Sequence, residues 1–184
     1  EQQERFLPGL LSGEEFWCQL FSEPGAGSDL SAISTRAVRD GDEWVINGMK
    51  RWNSGLHHAT HDIIFARTSG NPGDPKGITA FLVPTDAPGF KVEFFWWTFN
   101  MPTDHPRMSL TNVWVPEDAI LGKPGHGLEL AAHVAHRLAE AAELGGGRHA
   151  HHVAAPQCLD DGARHGAGAV GLVGLGGDGG QERG

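Results

Sequence analysis

The sequence predicts a mainly β chain built around an antiparallel barrel or sandwich, and three observations carry that expectation. Short apolar or alternating runs rich in β-branched and aromatic residues recur from Phe16 to Val115. Each is closed by a cluster of Gly, Pro, Asn, Asp or Ser, the residues that favour turns for their positive φ, fixed φ or local hydrogen bonds. Between them, no apolar spacing of three and four marks an amphipathic helix.

The elements follow in order. "EQQERFLPGLLSGEE" reads as the end of a helix and a connecting loop, broken at Pro8-Gly9. The apolar run "FWCQLF" comes next, then "TRAV", the turn "DGD", "EWVIN", a second turn at Asn47-Gly48, and "KRW", which together carry hairpin signals. "DIIFAR", "GITAFLV", "FKVEFF" and "MSLTNVWV" complete roughly seven strands, with "SGNPGDPK", "PTDAPG" and "NMPTDHPR" as their connections. After "VPEDAILGKPG", the residues Leu128, Ala131, Val134, Ala135, Leu138 and Ala142 fall on one helical face, and Gly145 is placed to stop that helix. Residues 145–184 contain no Ile, Phe, Trp, Met, Lys, Ser, Thr or Asn. Such a segment buries too little apolar surface to offset its ordering entropy, so disorder is expected there. The same restricted alphabet is what a GC-rich gene yields when translated out of frame.

Composition narrows the function classes. The 184 residues carry a formal net charge of −9 and a pI near 5.6, with no basic stripe of the kind that nucleic acid or an anionic membrane surface attracts. No run of about 18 apolar residues and no signal-peptide order is present, so a cytoplasmic location is the expectation. Cys18 and Cys158 match no metal or redox spacing and read as reduced thiols. "HHATHD" supplies His57, His58, His61 and Asp62, but strand alternation would send His57 and His58 to opposite faces, and no metal site is expected. "RHAHH" lies in the compositionally odd tail and reads as solvated side chains.

The stretch "FSEPGAGSD", Phe21 to Asp29, is the most informative. It follows an apolar run at once and packs together backbone freedom and hydrogen-bonding groups. Alone it is equally an ordinary surface loop with an Asx-type turn at Asp29. A flat polar heterocycle held against protein, however, needs its ring nitrogens and carbonyl oxygens paired, and each left unpaired costs about 1–3 kcal/mol. Gly25 and Gly27 would allow close approach and positive φ, Pro24 would stiffen the entry, and Ser22 and Ser28 would add hydroxyls. Glu23 and Asp29 are better read as loop anchors, capping amides or pairing with a basic side chain, than as acid–base carboxylates. Trp17, Trp44, Trp96, Trp97 and Trp114 are assigned to packing.

"CQLFSEPGAGSD", followed some two dozen residues later by "NGMKRWNSG", resembles the flavin-binding signature of the acyl-CoA dehydrogenase family. "RFLPGLLSGEE", "DGDEWVINGMK", "ITAFLVPTDAPGF" and "LTNVWVPEDAILGKPGHGLELA" stand in that family's order, and the resemblance covers about residues 4 to 135. It implies an α+β protein in which an antiparallel β-barrel sits between helical domains. On that division residues 1–15 end an N-terminal helical domain, 16–121 form the barrel, 122–144 begin a C-terminal helical domain, and 145–184 are the tail. It implies FAD as cofactor, held by Gln19, Leu20, Phe21, Ser22, Glu23, Pro24, Gly25, Ala26, Gly27 and Ser28. Trp52, Asn53 and Ser54 join them, with Trp52 packing on the isoalloxazine and Ser54 bonding its reactive nitrogen. Ser28 also falls where the family touches substrate.

The implied reaction is removal of an α-proton and a β-hydride from an acyl-CoA thioester to give the 2,3-enoyl-CoA. An electron acceptor such as an electron-transfer flavoprotein, a homo-oligomer for the full-length protein, and a place in fatty acid metabolism go with it. The family's catalytic glutamate belongs to its C-terminal helical domain, as does an "RxxFG" element for the FAD pyrophosphate; neither is found here, and Glu129, Glu140 and Glu143 match no base motif. The chain therefore reads as the flavin-binding part of such an enzyme, inactive alone. A flavin-dependent oxidase or monooxygenase of the same superfamily, or a truncated or frameshifted product without catalysis, are the alternatives. Asn53, at a usually apolar position, and Gly55, often Asn in relatives, depart from the pattern.

Overall fold

The computed structural model describes residues 1–98, 101–133 and 136. Its elements are α1 (Gln2–Ser12), β1 (Trp17–Leu20), β2 (Arg36–Asp40), β3 (Glu43–Arg51), β4 (His61–Arg67), β5 (Ile78–Pro84), β6 (Phe90–Thr98), β7 (Met101–Pro116) and β8 (Ile120–Leu121), with short 3-10 turns between some of them. Strands β6, β7, β3, β2, β4, β5 and β8 are neighbours in that order, and β1 adds to β4. The fold is mainly β, as expected. Most pairings are antiparallel, while β1–β4 and β2–β4 run parallel.

Two apolar clusters explain why β4 and β5 read as nearly continuous hydrophobic runs. Ile64, Ala66, Phe81 and Val83 point into one cluster with Leu20, Ile46, Met108 and Val113. Their neighbours Phe65, Ile78 and Ala80 point the other way, into a second cluster with Ala26, Leu30, Ile33 and Ala131. Strands buried on both faces lose the apolar–polar alternation that one-sided strands show. Arg67, fully buried at the end of β4, donates to the carbonyls of Ser31, Ile33, Ser69, Asp74 and Lys76, so one guanidinium fork fixes both adjoining loops.

Four local expectations are corrected. Pro8 lies inside α1, and the helix runs on to Ser12, where Gly13 takes a left-handed φ of 76° and caps it. Asn47-Gly48 is no turn: β3 continues through it with a register shift against β7 between Ile46 and Gly48. The glycine is needed there because a Cβ would meet the Thr35 side chain at 2.2 Å. "NMPTDHPR" is largely strand, since β7 begins at Met101 and pairs with β6. His57 and His58 occupy a 3-10 turn with ring centroids 3.9 Å apart, rather than opposite faces of a strand.

The C-terminal helix begins as expected at residues 127–133, with Ala131 buried and Leu128 packed beside it. Its end and the tail 145–184, with Cys158 and "RHAHH", lie outside the described residues. Among the described residues no helix is long and apolar enough to cross a membrane.

Candidate functional site

The loop 19–28 and the turn 52–55, distant in sequence, form one continuous face. Arg51 donates its amide to the Ser22 carbonyl at 2.9 Å and its guanidinium to the Pro24 carbonyl at 3.0 Å. The Asn53 side chain, buried, donates a short hydrogen bond to the Gln19 carbonyl. Within the loop, Glu23 and Ala26 exchange backbone bonds of 2.8 and 3.2 Å, closing a tight turn with Pro24 in the second position, where its fixed φ is favoured.

Beneath this face lies a buried ion pair. Glu23 and Lys50 meet at 2.8 Å, with side chains 2% and 0% exposed. The other donors of Lys50 go to the carbonyls of Phe21 at 3.2 Å and Phe65 at 2.7 Å. Glu23 in turn accepts from the Ser34 amide and hydroxyl and the Thr35 amide at 2.6 to 3.2 Å. Burial pushes the Glu23 carboxyl up, but the ammonium of Lys50 and the donors from Thr35 and Ser34 more than reverse it, so it stays ionised below its ordinary range. The loop is thus pinned to β3, β4 and residues 34–35 through one carboxylate. Glu23 has the anchoring role expected of it, and Asp29 likewise accepts from the amide and hydroxyl of Ser31.

What remains outward is specific. Leu20 and Glu23 turn their side chains inward, and Ala26 is buried in the second cluster, so on these residues only backbone faces the rim. Pro24, Gly25, Gly27 and Ser28 are exposed, while Gln19 is exposed and Phe21 and Ser22 are half-buried. Phe21 stacks on Phe65 with centroids 4.4 Å apart. Neither Gly25 nor Gly27 takes a positive φ, which corrects the conformational reason for them. A Cβ built on either meets nothing within 4 Å. Among the described residues nothing packs where their side chains would stand, so the face is open there.

Trp52 is a non-glycine residue at φ 66° and is 39% exposed, so it is not a core tryptophan. It stacks on Trp96 with centroids 4.7 Å apart and planes at 27°. Trp97 and Trp114 are also exposed, at 67% and 49%, against the packing role assigned to them. The left-handed backbone at Trp52 is held by its amide bond to the Pro106 carbonyl at 3.0 Å. Ser54 is exposed and its hydroxyl lies 3.3 Å from Nδ1 of His105. Asp104 Oδ1 is 2.7 Å from the same nitrogen, and Asp104 Oδ2 accepts from the Gly55 amide at 3.1 Å.

Ser54, His105 and Asp104 have the composition of a nucleophilic triad but not its geometry. In a triad the serine and the carboxylate bond opposite ring nitrogens, whereas here both converge on Nδ1. Sequence reasoning missed Lys50, Asp104 and His105. Lys50 carried a signal, since it lies in phase with Trp44 and Ile46 on the inward side of β3, where a charge requires a buried partner.

A cavity of about 740 Å³ lies elsewhere, lined by Gln2, Arg5, Phe6, Pro84, Trp114 and Ala119 among others, and shares no residue with the loop 19–28 or the turn 52–55.

The fold and this face together define a β domain with an open loop surface beside an exposed tryptophan and an exposed serine. Residues 18–113 match the family described as acyl-CoA dehydrogenase, middle domain, and the chain belongs to the acyl-CoA dehydrogenase family. Acyl-CoA dehydrogenase FadE34 of Mycobacterium tuberculosis is 41% identical over 131 residues, covering 71% of this chain and 18% of the relative. The human mitochondrial short-chain specific acyl-CoA dehydrogenase is 37% identical over 139 residues, covering 71% of this chain and 32% of the relative. The crystal structure of acyl-CoA dehydrogenase from Geobacillus kaustophilus superposes with a TM-score of 0.67 at 31% identity, covering 76% of this chain and 38% of that one. This chain therefore spans about a third or less of the length of these curated relatives.

Proposed function

We propose that this chain is the part of an acyl-CoA dehydrogenase that holds and orients FAD for the α,β-dehydrogenation of an acyl-CoA thioester. The single observation that carries the reading is the open face over Gly25 and Gly27, joined to an exposed Trp52 and an exposed Ser54 hydroxyl. The residues fit an isoalloxazine ring: exposed loop backbone from Gln19 to Ser28 for its polar edge, Trp52 for its π face, Ser54 for its reactive edge. FAD supplies the hydride acceptor when bound; the organic chemistry is the cofactor's, and the protein supplies orientation and hydrogen bonds. Asn53, placed with the flavin-holding residues, also ties the turn to Gln19 from inside. Ser28 is proposed also to meet the substrate. The electron acceptor, of the electron-transfer flavoprotein kind, and assembly of the full-length protein into oligomers belong to the same proposal. So does the division of the chain into a barrel at 16–121 between helical segments.

On this reading the residues described here position the cofactor, and none of them is the α-proton base. The polypeptide of these 184 residues on its own is expected to bind FAD weakly and to show no measurable turnover. Losing a positioned general base costs about 10² to 10⁴ in rate. A solved structure named prolyl acyl carrier protein oxidase AnaB also shares this fold, with a TM-score of 0.63 at 28% identity. Oxygen consumption with an acyl-CoA would therefore separate an oxidase from a dehydrogenase.

The test is steric. Gly25→Val and Gly27→Val should leave the unfolding free energy within about 0.5 kcal/mol of wild type, because open space receives the new side chain. The same variants should weaken FAD at least tenfold by flavin fluorescence quenching. Unchanged FAD affinity in both variants would contradict the placement.

A further inference from the structure

Resting on the flavin reading of this face, we propose that Asp104 and His105 are positioning residues that fix the Ser54 hydroxyl as a hydrogen-bond donor pointing outward to the ligand. Nδ1 of His105 lies 2.7 Å from Asp104 Oδ1 and 3.3 Å from Ser54 Oγ. A neutral imidazole carries one proton, and its two nitrogens differ in role according to where that proton sits. A bare Nδ1 at 2.7 Å from a carboxylate would set two acceptors against each other. The proton therefore sits on Nδ1, where the carboxylate holds it at charge-assisted distance.

With Nδ1 a donor, Ser54 cannot donate to it. The hydroxyl oxygen can only accept on that side, so its own hydrogen turns away from His105, toward the open side of the turn. Asp104 reinforces the arrangement from its other oxygen, which accepts from the Gly55 amide at 3.1 Å and so fixes the turn that carries Ser54. The Pro106 carbonyl, next along β7, holds the Trp52 amide at 3.0 Å. Three successive residues of β7 thus set both the backbone of the turn and the polarity of its hydroxyl. None of the three is among the residues that the family resemblance assigns to the flavin, and their role is indirect: they orient Ser54 and Trp52.

Two measurements on this chain test it. Long-range proton–nitrogen NMR of the histidine rings should show His105 with its proton on Nδ1. Asp104→Ala should release that preference, and Asp104→Asn, whose amide oxygen can still accept, should keep it. FAD titrations should show Asp104→Ala and His105→Ala each weakening affinity about two- to tenfold, the range one hydrogen bond commands. Adding Ser54→Ala to either should weaken it no further, since all three act through one hydroxyl. A proton on Nε2 with Nδ1 bare, or additive losses in the double variants, would overturn the proposal. Absence of FAD binding to the unaltered chain, with Nδ1 protonated, would instead remove the flavin reading and leave the orientation of Ser54 supported.

Discussion

Replacing Lys50 with alanine should destabilise the domain by about 3–5 kcal/mol, enough to unfold many domains of this size. The substitution leaves Glu23 ionised and 1% exposed, without the cation that offsets its desolvation. It also strips the Phe21 and Phe65 carbonyls of a donor. Breaking one side of a buried pair costs far more than replacing both partners by apolar groups of similar volume. Glu23→Leu combined with Lys50→Met should therefore recover a large part of the loss. Urea unfolding of the single and double variants reads this directly. A loss below about 1 kcal/mol in Lys50→Ala would mean that the pair does not anchor the loop. Where the fold survives, the loop 19–28 should lose its fixed position and FAD affinity should fall with it.

The second large effect is one of pH. Asp62 on β4 is wholly buried, and among the described residues neither of its oxygens accepts a well-formed hydrogen bond. Burial pushes its carboxyl up to about 7, with the neighbouring Cys18 thiol pulling slightly the other way. Cys18 is its partner across the β1–β4 ladder and donates its thiol to the Ser54 carbonyl at 2.9 Å. Burial first, then the charge of Asp62, lifts that thiol to about 12, so it remains protonated.

The folded state thus keeps a proton on Asp62 that the unfolded chain releases near its ordinary 3.8. Stability from this group is complete below about pH 4, declines as the pH rises toward 7, and is level above that, the whole loss being on the order of 4 kcal/mol. Asp62→Asn removes the slope: it should match wild type near pH 4 and exceed it at pH 8. The lowered Glu23 carboxyl acts in the opposite sense, at pH below its ordinary 4.5, at the acid edge of this window, and equally in wild type and Asp62→Asn. An identical slope between pH 4 and 7 in wild type and Asp62→Asn would show that Asp62 is not the group responsible.

Much of the strand layout was legible because turn chemistry is local. "DGD" and "PTDAPG" mark chain reversals that owe little to distant residues. Asn47-Gly48 misled because the same dipeptide serves a hairpin or a bulge, and the choice was made by β7 pairing alongside and Thr35 pressing on Gly48. Pro8 misled for a related reason: α1 absorbs it.

The candidate site was legible in its rim and not in its support. The glycines and serines of the loop stand out in composition, whereas Lys50, Asp62, Asp104 and His105 act through contacts that reach up to 51 residues away in sequence. The phase of Lys50 with Trp44 and Ile46 is a signal for an inward charge, but nothing in it names Glu23 as the partner.

On the proposed reading the loop 19–28 and the turn 52–55 form one FAD-holding face. Amide NMR spectra of this chain recorded through an FAD titration test it residue by residue. The shifts should concentrate on Gln19 to Ser28 and Trp52 to Gly55, with the indole of Trp52 moving among them. Shifts confined to the cavity beside Phe6, Pro84 and Trp114, with the loop and turn unmoved, would contradict it.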